Sequence, residues 1–114
     1  MHELSIAASI VDLAQEEAEK LGVRITGIHV TLGALCGVVR EALEGSYEMV
    51  VAGTVLEGSR LIIQEQPVIV YCPKCREPRT LPSIQRFVCP ECDSPAGEVI
   101  DGKELQVTAL EVDS

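Results

Sequence analysis

Tryptophan is missing, and Tyr47, Tyr71 and Phe87 are the only aromatic residues, 3% of the 114. Any core must therefore be aliphatic. Histidine is almost as scarce, with His2 and His29 alone, and there is no glycine-rich phosphate loop. Nothing here resembles the machinery of a hydrolase or an oxidoreductase, so a non-enzyme is expected. Basic residues number 9 against 18 acidic ones, a net charge of −9. A protein that coats nucleic acid needs a positive field to displace counterions from phosphates, so that class is disfavoured. No apolar run reaches the roughly 18 residues of a membrane span. The start of the chain, with Glu3 and an amphipathic continuation, lacks the basic n-region and cleavage site of a leader peptide. The expectation is a cytoplasmic protein without nucleic-acid or membrane partners.

What is present is typical of a globular chain: 46% hydrophobic and 24% charged residues. The length allows one ordinary domain or two very small ones. At this size burial is thin, and a metal staple adds stability that the core cannot.

Leu4, Ala7, Ala8, Val11, Ala14, Ala18 and Leu21 recur at helical spacing, which predicts a helix ending before Gly22. Ile28, Val30 and Leu32 alternate with His29 and Thr31 as in a half-buried strand, with Gly33 and Gly37 marking a turn. A second helical stripe runs from Val38 to Val51. Leu61 to Tyr71 reads as one strand, with Pro67 at an edge or bend. From Cys72 to Gly97 the character changes: four cysteines, five of the six prolines, and four of the nine basic residues (Lys74, Arg76, Arg79, Arg86) crowd together. Lys103 to Val112 reads as a closing strand that returns to the first module. The expected fold class is α+β: two helices packed on a small three-stranded mixed sheet, with an inserted zinc-ribbon-like four-cysteine domain. Residues 1–68 and 99–114 would form a discontinuous α/β domain around an insert at 69–98.

Cys72-Pro73-Lys74-Cys75 and Cys89-Pro90-Glu91-Cys92 are two knuckles separated by thirteen residues. A two-residue spacing lets a tight turn aim both sulfurs at one point. Two such turns make a tetrahedral sulfur cage, the geometry zinc prefers. Cys72, Cys75, Cys89 and Cys92 fill all four positions and leave none for water, so a structural Zn(II) is expected. A rubredoxin-like iron site is disfavoured by the few aromatics and by the lack of Gly after each second cysteine. The remaining cysteine, Cys36, lies among apolar residues and is expected to be a small buried hydrophobe.

The chain opens Met1-His2-Glu3. His2 is too large to permit removal of the initiator methionine, so a free α-amine is expected one peptide bond from an imidazole. Amine, amide and ring nitrogens can close two chelate rings around one ion, a planar set suited to Ni(II) or Cu(II). Glu3, a water or a partner's side chain could complete it. His29 is expected to be solvated or hydrogen-bonded instead.

Met1-His2-Glu3-Leu4-Ser5-Ile6, Gly33-Ala34-Leu35-Cys36-Gly37-Val38, Glu57-Gly58-Ser59-Arg60-Leu61, the two Cys-Pro-x-Cys knuckles and Gly102-Lys103-Glu104-Leu105 together resemble the HypA/HybF family. These are nickel-incorporation chaperones of [NiFe]-hydrogenase maturation, and the motifs span nearly the whole chain in order. The resemblance implies a nickel-binding domain at 1–68 and 99–114 that carries transported Ni(II) at Met1, His2 and Glu3. It implies a zinc-binding domain at 69–98, with Cys72, Cys75, Cys89 and Cys92 as ligands. It also implies a HypB-type GTPase and the hydrogenase large-subunit precursor as partners, urease accessory proteins for some members, and a monomer or homodimer. The chain departs from the family pattern at Val39, where many relatives carry an acidic residue, and at Asp93-Ser94, where relatives usually carry Gly-Gly. From the residues alone, a zinc-ribbon interaction adaptor with no transported metal remains the alternative, with the four basic residues of the insert as its contact surface.

Overall fold

The structure is a computed structural model that describes residues 2–113, His2 by its backbone alone. In chain order the elements are α1 (His2–Leu21), β1 (Arg24–Gly33), α2 (Arg40–Val51), β2 (Arg60–Gln66), β3 (Ile69–Cys72), β4 (Glu77–Thr80), β5 (Val99–Asp101) and β6 (Leu105–Asp113). They form an α+β fold with two three-stranded sheets, ordered β2-β1-β6 and β4-β3-β5. The chain divides into two compact units, one of Met1–Val30, Val38–Gln64 and Gln106–Ser114, the other of Thr31–Gly37 and Glu65–Leu105.

The first unit is held by aliphatic burial. Of the predicted stripe of α1, Ala7, Val11 and Ala14 are almost fully covered, joined by Ile10, which the stripe did not include, while Leu4 and Leu21 at its two ends are exposed. Beyond Leu21 the chain turns at Gly22, whose φ of +66° suits a residue without a Cβ. There Val23 N–H donates to Ala18 O at 3.1 Å, closing the helix end. Helix α2 packs on α1 and buries Leu43, Tyr47 and Val51. Strand β1 is longer than its alternating core suggested, because it is the central strand and buries Ile25 and Ile28 as well as Val30. Thr26 Oγ1 donates to Glu111 O at 3.2 Å, and Thr108 Oγ1 donates to His29 O at 3.3 Å. Positions rise along β1 as they fall along β6, so the two run antiparallel. Arg60, at the entry of β2, reaches the same Glu111, so β2 enters from the same end as β1. Helix α2 is thus the crossover between parallel neighbours, and the sheet is mixed.

The second unit has a much smaller core. Val68, Val70 and Leu81 are buried, with Leu35, Ala96 and Val99 packed against them. Strand β3 pairs antiparallel with β4, Ile69 opposite Thr80 and Cys72 opposite Glu77, and with β5 on its other side. Backbones approach closely at Gly33 and Gly102: a Cβ on Gly33 would stand 2.5 Å from Gly102 O, and one on Gly102 2.6 Å from Pro67 O.

Three expectations need correcting. The single strand Leu61 to Tyr71 is two strands in two sheets. Pro67 has no N–H for a ladder, and the chain changes sheet across Pro67-Val68. Gly33 is the last residue of β1 and not a turn residue, since its N–H donates to Glu104 O at 3.0 Å. Cys36 is half-buried instead of fully covered.

Candidate metal centre

Each cysteine pair sits in the same turn. Arg76 N–H donates to Cys72 O at 2.7 Å, and Asp93 N–H donates to Cys89 O at 2.9 Å. In both turns the residue after the second cysteine has left-handed backbone, Arg76 at φ 59° and Asp93 at φ 60°. Within the turns, Cys75 N–H donates to Cys72 Sγ at 3.3 Å and Glu91 N–H to Cys89 Sγ at 3.4 Å. The first turn joins β3 to β4. The second is tied back by Cys89 N–H to Ser94 O at 2.8 Å and by the Val88–Pro95 bridge.

These turns bring the four Sγ atoms within 4.8 Å of one another. Cys72 and Cys92 sulfurs stand 3.6 Å apart, Cys75 and Cys89 sulfurs 3.9 Å. Both are far beyond the ~2.05 Å of a disulfide. With Zn–S near 2.3 Å, a regular tetrahedron has an edge of about 3.8 Å, so the donor set fits zinc in size as well as chemistry. Cys72 and Cys89 are buried, and Cys75 and Cys92 half-buried.

Cys75, Cys89 and Cys92 ionise unevenly. The Ser94 hydroxyl and N–H donate to Cys92 and bring its thiol down to about 6. Burial pushes Cys89 up, yet it ends below the ordinary value because the backbone N–H groups of Glu91 and Cys92 donate to it. Arg79 pulls Cys75 down, but hydrogen bonds with the Cys92 and Cys72 sulfurs prevail and lift it to about 11. A divalent cation at the centre favours the thiolate at all four. The sequence marked Ser94 only as part of a departure in the turn and Arg79 only as one of four basic residues of the insert; neither was expected to act on the sulfurs.

The basic residues of the insert do not share one environment. Lys74, Arg76 and Arg86 are exposed, Arg86 only 3.7 Å from Asp93. Arg79 is half-buried.

At the other candidate site, Met1 and the His2 side chain lie outside the described residues. Glu3 is in the first turn of α1, and its Oε2 accepts from Val39 N–H at 3.2 Å. Val39 is the residue before α2 and offers no side-chain cap of its own. That bond holds the Glu3 carboxyl below the usual carboxylate range and ties the start of one helix to the start of the other. Val39 therefore acts through its backbone and not its side chain. His29 is hydrogen-bonded as expected, its Nε2 2.9 Å from Glu111 Oε2.

No helix among the described residues is long and apolar enough to cross a membrane. A family model described as "HypA: Hydrogenase/urease nickel incorporation, metallochaperone, hypA" matches residues 1–112. The chain is 48% identical to the "Hydrogenase maturation factor HypA" of Chloroflexus aurantiacus, over 97% of this chain and 98% of that protein. Two solved structures share the fold. One, described as "Solution structure of HypA protein", has a TM-score of 0.73 at 24% identity and covers 98% of this chain and 96% of that one. The other, "Solution structure of the Ni metallochaperone HypA from Helicobacter pylori", has a TM-score of 0.65 at 21% identity, covering 96% of each chain.

Proposed function

The chain belongs to the HypA family of hydrogenase and urease nickel-incorporation metallochaperones, and on that premise we propose that it is a cytoplasmic, non-enzymatic nickel carrier. Ni(II) is the cargo, taken up at Met1, His2 and Glu3 and passed to the hydrogenase large-subunit precursor with the help of a HypB-type GTPase. Zn(II) is a resident staple held by Cys72, Cys75, Cys89 and Cys92. The nickel-binding domain is residues 1–68 and 99–114, and the zinc-binding domain residues 69–98.

The observation that carries this reading is the whole-chain family match on a sequence that retains Met1-His2-Glu3 and both knuckles. The geometry is consistent with it. Glu3 is fastened to Val39 N–H, which keeps the first turn of α1 in a defined place beside α2. A carrier has to release its ion. A chelate built at a chain terminus can be dismantled one donor at a time as an acceptor's ligands replace it. The sulfur cage has no open position and is suited to retention.

Titrating Ni(II) by calorimetry into zinc-loaded protein with an unextended N-terminus tests the reading. One equivalent should bind, His2→Ala should weaken it at least about tenfold, the cost of one lost ligand by analogy with outer-shell losses of that order, and neither should change zinc content. Protons compete with the metal: imidazole titrates near 6.5 and an α-amine near 7.7–8.0. Nickel affinity should therefore fall as pH drops from about 8 to about 6. Unchanged affinity in His2→Ala, or in a protein extended at its N-terminus, would falsify the site. Absence of nickel uptake would leave a zinc-stapled adaptor.

A further inference from the structure

Arg79 stands apart from the other basic residues of its unit. In the antiparallel β3–β4 pair, Arg79 lies opposite Val70 and Glu77 opposite Cys72. Directly opposed residues point to the same face of a sheet, and alternate residues share a face. Arg79 therefore projects on the side of Val70 and Cys72, both fully buried. Its side chain keeps only 23% of its exposure. One terminal nitrogen reaches out to Glu77 Oε2 at 3.4 Å, while its Nε is buried without a hydrogen-bond acceptor. The guanidinium faces the sulfurs of Cys75 and Cys89, one from each knuckle.

We propose that Arg79 is the counter-cation of the cysteine cage, a positioning residue that holds the Cys75 and Cys89 thiolates in place as zinc ligands. The inference rests on reading the cage as a zinc site. One Zn(II) with four thiolates carries a net charge of −2, on sulfurs of which Cys72 and Cys89 are buried and Cys75 and Cys92 half-buried. The backbone N–H groups of the turns spread that charge but do not neutralise it. A guanidinium does both. Its planar fork can address two acceptors at once, which the point charge of a lysine cannot. By engaging one sulfur from each knuckle it also ties the two turns together from a third piece of chain, the strand β4. Arg79 is thereby a partner to the ligands of the kind whose loss weakens metal sites without removing a ligand.

The test compares zinc-loaded wild-type protein with Arg79→Gln, which keeps donors and loses the charge, and Arg79→Lys, which keeps the charge and loses the fork. Three quantities are read: zinc affinity in competition with a chromophoric chelator, the sulfur-to-cobalt charge-transfer band after Co(II) substitution, and the rate of zinc release under iodoacetamide. Helix content by circular dichroism reports on α1 and α2 in every sample. Arg79→Gln should bind zinc roughly 10- to 100-fold more weakly, shift the cobalt band, and release zinc faster on alkylation because its thiolates are less restrained. Arg79→Lys should fall between it and wild type, and it carries the comparison if Arg79→Gln does not fold. Wild-type affinity with an unmoved cobalt band in Arg79→Gln overturns the inference alone. Arg79→Lys no better than Arg79→Gln overturns the charge role. Wild-type protein that takes up neither zinc nor cobalt overturns the zinc reading and this inference with it.

Discussion

Among the described residues the first unit buries eleven aliphatic side chains and Tyr47; the second buries Leu32, Val68, Val70 and Leu81 and, its cysteines apart, then runs out of buried apolar material. Both carry secondary structure, but what holds it differs. In the first, long elements with periodic apolar faces exclude water from one another. In the second, strands of three and four residues are too short to be stable alone. Convergent sulfurs, a charged side chain and backbone bonds to sulfur replace the missing core. Apolar area and ligand convergence are two solutions to the same entropy problem, and this chain uses one in each unit.

The largest test of that contrast removes the metal. Structural zinc supplies roughly 10–16 kcal/mol in small peptides, comparable to a whole domain's ~5–15 kcal/mol. Cys72→Ser, or a strong chelator, should abolish the dispersed amide signals of the second unit while the helical circular dichroism persists. Loss of the helices in step would show that the first unit does not stand on its own core.

The converse change is Leu43→Ala. Leu43 is fully buried in α2, and its truncation should cost about 2–5 kcal/mol in denaturant unfolding of the first unit. Zinc content should not change. Next in size is Gly102→Ala, at φ +93° with Pro67 O 2.6 Å from the added Cβ. Backbone strain of about 1–3 kcal/mol should appear in the second unit alone, read as faster amide exchange in β3 and β5.

The smallest effect belongs to the polar edge of the first unit. The hydrogen bond with His29, aided by Arg60, holds the Glu111 carboxyl below its usual value of 4.5. A folded-state value below the unfolded one adds stability above the unfolded value and loses it as pH falls through the folded one. The Tm difference between wild type and Glu111→Gln should therefore be positive at pH 7 and shrink toward zero on acidification below about 4. A constant difference across that range would assign the effect to packing.

Both helices were legible because twelve to twenty residues of periodic apolar pattern average out local noise. Each cysteine knuckle was legible because its spacing is local and its chemistry unusual. Strands β4 and β5 were not. Glu77-Pro78-Arg79-Thr80 has no strand pattern, and it is extended because the Cys72–Cys75 turn folds it back on β3. The sheet change at Pro67-Val68 was hidden for a related reason. Its apolar run continues unbroken while its hydrogen-bond partners change, and partners come from distant chain. Glu3 was legible as a candidate ligand, but its seat on Val39 N–H was not, since a backbone donor carries no residue signature.

The amino-acid order alone determined the helices, the four sulfur ligands and the family, because each is written in short-range spacing or in motifs that keep their sequence. Only the tertiary structure decided that one apolar run is two strands in two sheets, that Val39 contributes its N–H where its side chain offers nothing, and that one of the insert's four basic residues turns inward to the sulfurs. Those outcomes depend on register between segments far apart in the chain, and register is set by packing and long-range hydrogen bonds that no local window contains.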